Sequence, residues 1–394
     1  MTHSATLRPH VQRLQQRALM VGAAGAGLCL VGVFLNPGQF FRSYLLAYLF
    51  WLGLALGCLA IVMLHHLAGG AWGVVIQRVL EAGTRTLPLM LVLVVPLLFG
   101  VHDLYIWARP QAVASDALLR HKSLYLNVPF FVLRTGVYFA VWLVVAYFLN
   151  RWSLLHDQVQ ERPTARALRR RLQLLSGLGL VLYGITVTFA AIDWVMSLEP
   201  YWYSTVYGIV YIVSQGLAAL AFAIVATALL ADFAPFAGVV APAHFHDLGN
   251  LLLAFVMLWA YIAFSQFLII WSGNLPEEIP WYVHRTQGGW QWIGLLLLVL
   301  HFTLPFLVLL SRGTKRSVYR LASVALAIIG MHLVDLFWLV MPAFHPTGLD
   351  VHWLDVVAPL GMGGLWIAVF VWQLQRRPLL PLHDPRLQGA IEHG

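Results

Sequence analysis

The chain has 394 residues, of which 60% are apolar and only 10% charged, with a mean hydropathy of +0.78 and a formal net charge of +8 at pH 7. A soluble surface must be solvated by charge, so this composition excludes a soluble globular protein and leaves an integral membrane protein. Apolar segments follow one another near 18–35, 41–66, 85–107, 129–150, 172–196, 205–231, 248–272, 289–311, 320–341 and 356–375. A helix rises about 1.5 Å per residue, so about 20 such residues cross a hydrocarbon core of about 30 Å. Runs of this length exclude a barrel, whose strands would be about 10 residues of alternating pattern. Backbone groups in lipid must pair within their own segment, so the segments are read as ten transmembrane helices of an all-α protein. The first is not a cleavable signal peptide, because its long apolar core runs into Phe34-Leu35-Asn36-Pro37-Gly38 with no small-residue cleavage site. The longest gaps, near 108–128 and 151–171, leave no room for a soluble domain, and residues 1–394 read as one polytopic membrane domain.

Positive charge sits in alternate gaps. One side holds Arg8, Arg13, Arg17, Arg78, Arg85, Arg151, Arg162, Arg166, Arg169, Arg170, Arg171, Arg312, Lys315, Arg316, Arg320, Arg376, Arg377 and Arg386. The other holds Arg42, Arg109, Arg120, Lys122 and Arg285, and Arg134 lies within the fourth span. Lys and Arg are retained on the cytoplasmic side, so both termini are expected there, in a bacterial inner membrane. The sequence pI near 9.7 comes from this asymmetry and is no sign of nucleic-acid binding. The basic 162–171 segment is expected to face anionic lipid head groups or a partner.

Several chemistries are absent. Cys29 and Cys58 both lie inside spans, and there is no CxxC, no CxxCH, no P-loop and no GxGxxG ahead of a helix. The chain alone therefore holds no iron–sulfur cluster, covalent haem or metal. A non-covalent haem would need two His at matching depth, and His301 and His332 are the midplane pair that offers this. Gly53 and Gly57 form a small-xxx-small face suited to close helix packing. Pro88, Pro96, Pro305 and Pro359 interrupt spans.

Charge inside the hydrocarbon core is costly, which makes each ionisable group there a functional candidate. His301 falls near the middle of the eighth span and His332 near the middle of the ninth, with Asp335 three residues on and on the same helix face. His relays protons because its unperturbed pKa, about 6.5, lies near ambient pH. A carboxyl buried beside it can be neutral at rest and ionise transiently. The plain alternative is a static His–Asp contact that locks the ninth span to the eighth. Nearer the edges lie His65 and His66, His102 and Asp103, Arg134, and Asp193 followed by Glu199. Arg134 is at a depth where Asp103 or Asp193 could pair with it. His246 and Asp247 precede the seventh span, where Asp247 suits a helix cap and the pair suits a proton-entry mouth. Glu277 and Glu278 suit an exit or a solvated loop. Tyr183, Thr186, Thr188, Ser214, Gln215, Tyr261, Ser265, Gln266 and Thr303 could complete a hydrogen-bonded track, or each could bond locally.

Five stretches together carry a family resemblance: HDLYIWARP at 102–110, HKSLYLNVPFF at 121–131, IDWVMSLEPYWYSTVYG at 192–208, DLGNLLLAFVMLWAYIAFSQFLIIWSGNLPEEIPWY at 247–282 and VDLFWLVMP at 334–342. The chain resembles the F subunit of alternative complex III, the bacterial quinol:cytochrome c oxidoreductase, within the NrfD-like polysulfide-reductase membrane-subunit superfamily. The resemblance implies two facing four-helix bundles, spans two to five (about 41–150 plus 172–196) and six to nine (about 205–341), with two peripheral helices. It implies no redox centre in this chain. Haem and iron–sulfur clusters would sit in partners: a homologous ten-span subunit, an iron–sulfur protein, pentahaem and monohaem cytochromes c, and in some systems a terminal oxidase. A quinone, menaquinone or ubiquinone, is the cofactor the resemblance brings nearest. The leading expectation is a proton-conducting and assembly subunit of a quinol-oxidising complex. The alternatives are a quinol site on this chain itself and a stand-alone secondary transporter, whose broken helices the Pro-bearing spans would permit.

Overall fold

The computed structural model of the chain describes residues 4–380 except 71, 160 and 238, so Arg386 and the side chains of Arg8 and Arg162 lie outside the described residues. Among the described residues there is no strand, and ten helices are long and apolar enough to cross a membrane. They are α1 (Pro9–Leu35), α2 (Pro37–Ala68), α3 (Gln77–Phe99), α4 (Val128–Gln158), α5 (Pro163–Leu198), α6 (Tyr207–Leu230), α7 (Pro242–Gly273), α8 (Trp290–Leu310), α9 (Val318–Ala343) and α10 (Leu354–Gln375). Local signals set their ends. Asn36 accepts the Gln39 amide at 3.1 Å, and Pro37, with no N–H to leave unpaired, opens α2 one residue after α1 stops. Asn127 caps α4 by accepting from Phe130 at 2.9 Å, and Asn274 ends α7 in the left-handed region at φ 49°.

The packing is two rings of four. α2, α3, α4 and α5 touch in sequence and α5 returns to α2; α6, α7, α8 and α9 repeat the pattern, with α9 returning to α6. The rings meet where α2 lies on α6, flanked by α5 against α6 and α9 against α2. α1 and α10 form a peripheral pair packed on α2. These are the expected two bundles and two peripheral helices. The burial follows: 89% of the apolar window of α2 is covered, against 22% for α7 and α8, which leaves the last two for lipid. The Gly53/Gly57 face serves the packing expected of it, since a Cβ at Gly57 would stand 2.2 Å from the Gln215 carbonyl oxygen and 2.6 Å from the Ala219 Cβ. Gly25 does the same for the peripheral pair, where a Cβ would meet Gly361 Cα at 2.3 Å.

Four spans begin well before their expected bounds: α1 at Pro9, α3 at Gln77, α5 at Pro163 and α7 at Pro242, and α3 ends at Phe99, short of the expected 107. α3 starts at Gln77, so Arg78 and Arg85, read as loop residues, belong to the helix. Its run is broken at Thr86 and again at Val94, each just before a proline-bearing turn. α7 starts at Pro242, which places Asp247 inside the helix and removes it from the capping position. Cross-links sort the helix ends into two groups, as alternate crossing requires. At one end Arg377 bonds Asn150, Arg78 bonds Asp157, Lys315 bonds Asn250 and Gln375 bonds Gln15. At the other, Lys122 bonds the Pro200 carbonyl, Tyr201 bonds Asp116, Trp202 bonds the Glu278 carbonyl and Gln39 bonds Asp355. The first is the Arg-rich end.

Candidate functional site

The buried ionisable groups collect at three levels. At the middle of the second bundle α9 supplies His332 and Asp335, and α6 supplies the group between them. Ser214 Oγ lies 3.0 Å from His332 Nδ1 and 3.0 Å from Asp335 Oδ2, so one hydroxyl bridges the two side chains. All three residues are buried, at 1%, 1% and 4% exposure for Ser214, His332 and Asp335. A hydroxyl donates one hydrogen while accepting others, so it can pass a proton between its neighbours. His332 and Asp335 share one face of α9, and the hydroxyl that ties them comes from α6. Phe50 of α2 lies against the His332 ring at 5.7 Å between centroids, and the Nε2 of His332 has no hydrogen-bond partner.

His301 is fully buried beside this group and close enough to His332 to interact electrostatically. Trp259 meets its ring edge-on at 4.4 Å, and neither ring nitrogen has a hydrogen-bond partner. The backbone is unusual here. Residues Leu297–Thr303 form a π-helical segment, and Pro305 offers no N–H to the His301 carbonyl four residues before it. A wide turn of this kind is frequent at functional sites. The neighbouring Gln215 accepts from the Tyr183 hydroxyl at 2.9 Å across the seam between the bundles.

The first bundle holds Arg134 toward the end opposite the Arg-rich one. Its partner is Asp193, through Nε at 2.8 Å and Nη2 at 2.9 Å, and Tyr138 donates to the same carboxylate at 2.7 Å. The third guanidinium nitrogen reaches the Tyr125 carbonyl at 2.9 Å, and the Tyr125 and Phe130 rings cover the group at 3.9 and 4.3 Å. Asp103, the other expected partner, is not used: it is exposed, and its carbonyl, like that of His102, accepts from Arg109. His102 is exposed as well, and its Nδ1 closes a turn on the Ala108 carbonyl at 2.9 Å.

Three clusters escaped the sequence reading. At the Arg-rich end, Arg78 contacts both Glu81 and Asp157, and Ser153 donates to Glu81 at 2.6 Å, with Gln77 donating to the same carboxylate at 2.9 Å. Arg78 and Glu81 are three apart on one helix, a signal present in the sequence; Asp157 arrives from the far end of α4 and gives none. At the opposite end Arg285 is 1% exposed. It bonds Glu199 at 3.1 Å and the Trp281, Trp338 and Leu339 carbonyls, under the Trp281 ring at 3.7 Å. Burial pulls its guanidinium below its ordinary value. Asp355 opens α10 by accepting from Ser43 at 2.5 Å and from the His352 amide at 2.9 Å.

The remaining candidates lie apart. His65 and His66 are buried at the end of α2, with Trp72 edge-on to His65 at 5.2 Å. His246 stands 3.8 Å from the exposed Asp247 and 3.3 Å from Asn250. Glu277 is exposed and Glu278 half-buried, lining a cavity of about 60 Å³ with Gln266, Ser204 and Thr205. Thr186, Ser265 and Thr303 bond carbonyls of their own helix, which is the local alternative. Among the described residues no continuous hydrogen-bonded track joins the three levels. A larger cavity of about 410 Å³ opens beside α5, walled by Leu126, Ile192, Met196 and Trp202 with His121 and Lys122 at its rim. Partial burial lowers the Lys122 ammonium from its ordinary value. No group of three His, Cys, Asp or Glu suited to a metal occurs among the described residues.

No protein-family model matches the chain, and no curated protein matches it in sequence.

Proposed function

We propose that this multi-pass membrane protein is a subunit of a bacterial quinol-oxidising electron-transfer complex, and that its second bundle carries a proton step through Asp335, Ser214 and His332. The bridging hydroxyl of Ser214, 3.0 Å from both partners, is the observation that carries the proton step. The five family-like stretches support the complex, with a homologous ten-span subunit, an iron–sulfur protein and cytochromes c as partners and with both termini cytoplasmic. In that setting the redox centres belong to the partners. This chain's residues move protons.

The step is a hydroxyl relay. Protonated Asp335 donates to Ser214 Oγ while the Ser214 hydroxyl hydrogen passes to His332 Nδ1. One proton leaves the carboxyl and one arrives on the imidazole, so the relay ends with carboxylate and imidazolium on either side of an unchanged serine. His332 must enter as the Nε2–H tautomer, and its Nε2, which has no hydrogen-bond partner, is the nitrogen from which the proton leaves. The complex reconstituted in vesicles tests this. Asp335→Asn should assemble and lower the proton-to-electron ratio. A normally assembled variant with an unchanged ratio overturns the relay, and a chain that purifies without c-type haem overturns the complex.

A second reading, a quinol site on this chain, is favoured by the cavity of about 410 Å³, which has apolar walls and a few polar groups at its rim. Protection of Met196 from oxidation by added quinol checks it.

A further inference from the structure

Two carboxylates occupy corresponding places in the two bundles. Asp193 follows Ile192 on α5, and Pro200 stands seven residues on; Asp335 follows Val334 on α9, and Pro342 stands seven residues on. α5 closes the first ring on α2 as α9 closes the second on α6. Both carboxyls are buried, at 0% and 4% exposure.

Their surroundings differ. Asp193 takes two guanidinium hydrogen bonds and one phenol hydrogen bond, and the guanidinium is itself held by the Tyr125 carbonyl. Arginine does not lose its proton in proteins. A proton placed on Asp193 would leave Arg134 as an uncompensated buried charge, which is strongly unfavourable. Asp335 accepts from Ser214, and among the described residues no Lys, Arg or His nitrogen lies within 4 Å of it. The titratable groups around it are His332 on its own helix, Tyr207 from α6 and His301 from α8 beyond His332, with Trp259 from α7 and Phe50 from α2 as uncharged neighbours. A carboxyl so placed is accommodated as the neutral acid, because a lone buried charge costs far more than a hydrogen-bonded neutral group.

We infer that Arg134 closes the first bundle to proton traffic by holding Asp193 as a permanent anion, leaving Asp335 as the exchangeable carboxyl of the two. The inference rests on the proton-handling reading of Asp335 and adds which half of the molecule is active. Arg134 is then a positioning residue that decides, by its charge, what Asp193 cannot do.

Dicyclohexylcarbodiimide tests it, since this lipid-soluble reagent adds to carboxylic acids and leaves carboxylates alone. The acid adds across a C=N bond of the reagent, and the resulting O-acylurea rearranges to a stable N-acylurea that peptide mass spectrometry locates. In the intact complex in native membranes, Asp335 should be labelled and Asp193 labelled at least about a hundredfold less, the low end of the gap that loss of a buried ion pair would leave. Asp335→Asn should lose its label, and Arg134→Gln should transfer label to Asp193. Should Arg134→Gln fail to assemble, the wild-type ratio decides alone. Comparable labelling of the two carboxyls, labelling of Asp193 alone, or labelling of neither overturns the inference. The proton-to-electron ratio of the same preparations keeps the two ideas apart. Label confined to Asp335 with a ratio indifferent to Asp335→Asn sustains the Arg134 lock and sinks the proton path. Label on Asp193 with a ratio that falls in Asp335→Asn sinks the lock alone.

Discussion

Replacing Arg134 with Gln isolates a carboxylate that the fold has removed from water. Asp193 is fully buried and loses two of its three side-chain hydrogen bonds, keeping the one from Tyr138. Breaking a buried ion pair from one side costs about 3–5 kcal/mol, because the remaining charge is left uncompensated. The guanidinium also gives up its contacts with the Tyr125 and Phe130 rings, at about 0.5–1 kcal/mol each. The change therefore sums to about 5 kcal/mol of lost stability, with Asp193→Asn at the lower end of the 3–5 kcal/mol range because Arg134 keeps the Tyr125 carbonyl. The double variant removes both charges and should be less destabilised than the sum by about 2 kcal/mol or more. Reversible unfolding in mixed micelles, followed by tryptophan fluorescence, measures the cycle. Single variants within about 1 kcal/mol of the parent, or a strictly additive double variant, would show that the pair is not the buried unit described, since coupled neighbours depart from additivity.

Three more outcomes follow from the geometry. Gly57→Val should disrupt the seam between the bundles and cost about 3 kcal/mol or more in the same unfolding assay, because its Cβ would meet the Gln215 backbone, which cannot give way as a side chain can. Ser214→Ala should slow coupled proton transfer about a hundredfold in vesicles, the low side of what a positioned proton-transfer group contributes, while Ser214→Thr keeps most of the rate; equal rates in both refute the hydroxyl relay. Arg78→Met should cost about 3–5 kcal/mol and exceed Glu81→Gln, since it strands two buried carboxylates and the latter leaves Arg78 paired with Asp157; thermal unfolding of the two variants orders them.

The spans were legible because an apolar run of about 20 residues has one stable form in lipid. The Gly53/Gly57 face and a carboxylate for Arg134 were legible for a related reason: small residues and lone charges demand a neighbour, though not which one. Asp193 rather than Asp103 meets the demand because it lies on α5, packed along α4, whereas Asp103 sits beyond the end of α3 on the surface. What could not be read is what depends on distant chain. Arg78 looked like a loop charge because nothing nearby announces that Asp157, 79 residues on, will neutralise it. Ser214 looked like any membrane serine, and its place between His332 and Asp335 is decided by the packing of α6 on α9, 118 and 121 residues away in sequence. The start of α7 was placed late because His244 and His246 are polar, although Pro242 at its first turn is a helix-opening signal.

The three levels of buried charge obey different rules, and the difference bears on how a proton could cross. At the Arg-rich end and at the opposite end four carboxylates have a guanidinium, Arg78 for Glu81 and Asp157, Arg134 for Asp193 and Arg285 for the half-buried Glu199, whereas Asp355 is held by Ser43, Gln39 and the His352 amide. Such pairs fix helices to one another but hold their protons too firmly to trade them, because either partner alone would be a bare charge in an apolar surround. Between these levels the second bundle keeps a carboxyl, a hydroxyl and two imidazoles with no guanidinium in contact. Each of these groups is neutral in one of its ordinary states, so each can rest without a counter-ion and carry charge briefly. The wide turn at Leu297–Thr303 and the adjacent Pro305 fall beside the imidazole that has no partner, where the helix is least able to bond to itself. A chain built only for packing would gain nothing from burying one histidine with neither ring nitrogen hydrogen-bonded and a second with one nitrogen left over. A chain that passes protons needs groups whose hydrogen bonds can be made and broken there, and the seam between α6 and α9 is where the fold collects them.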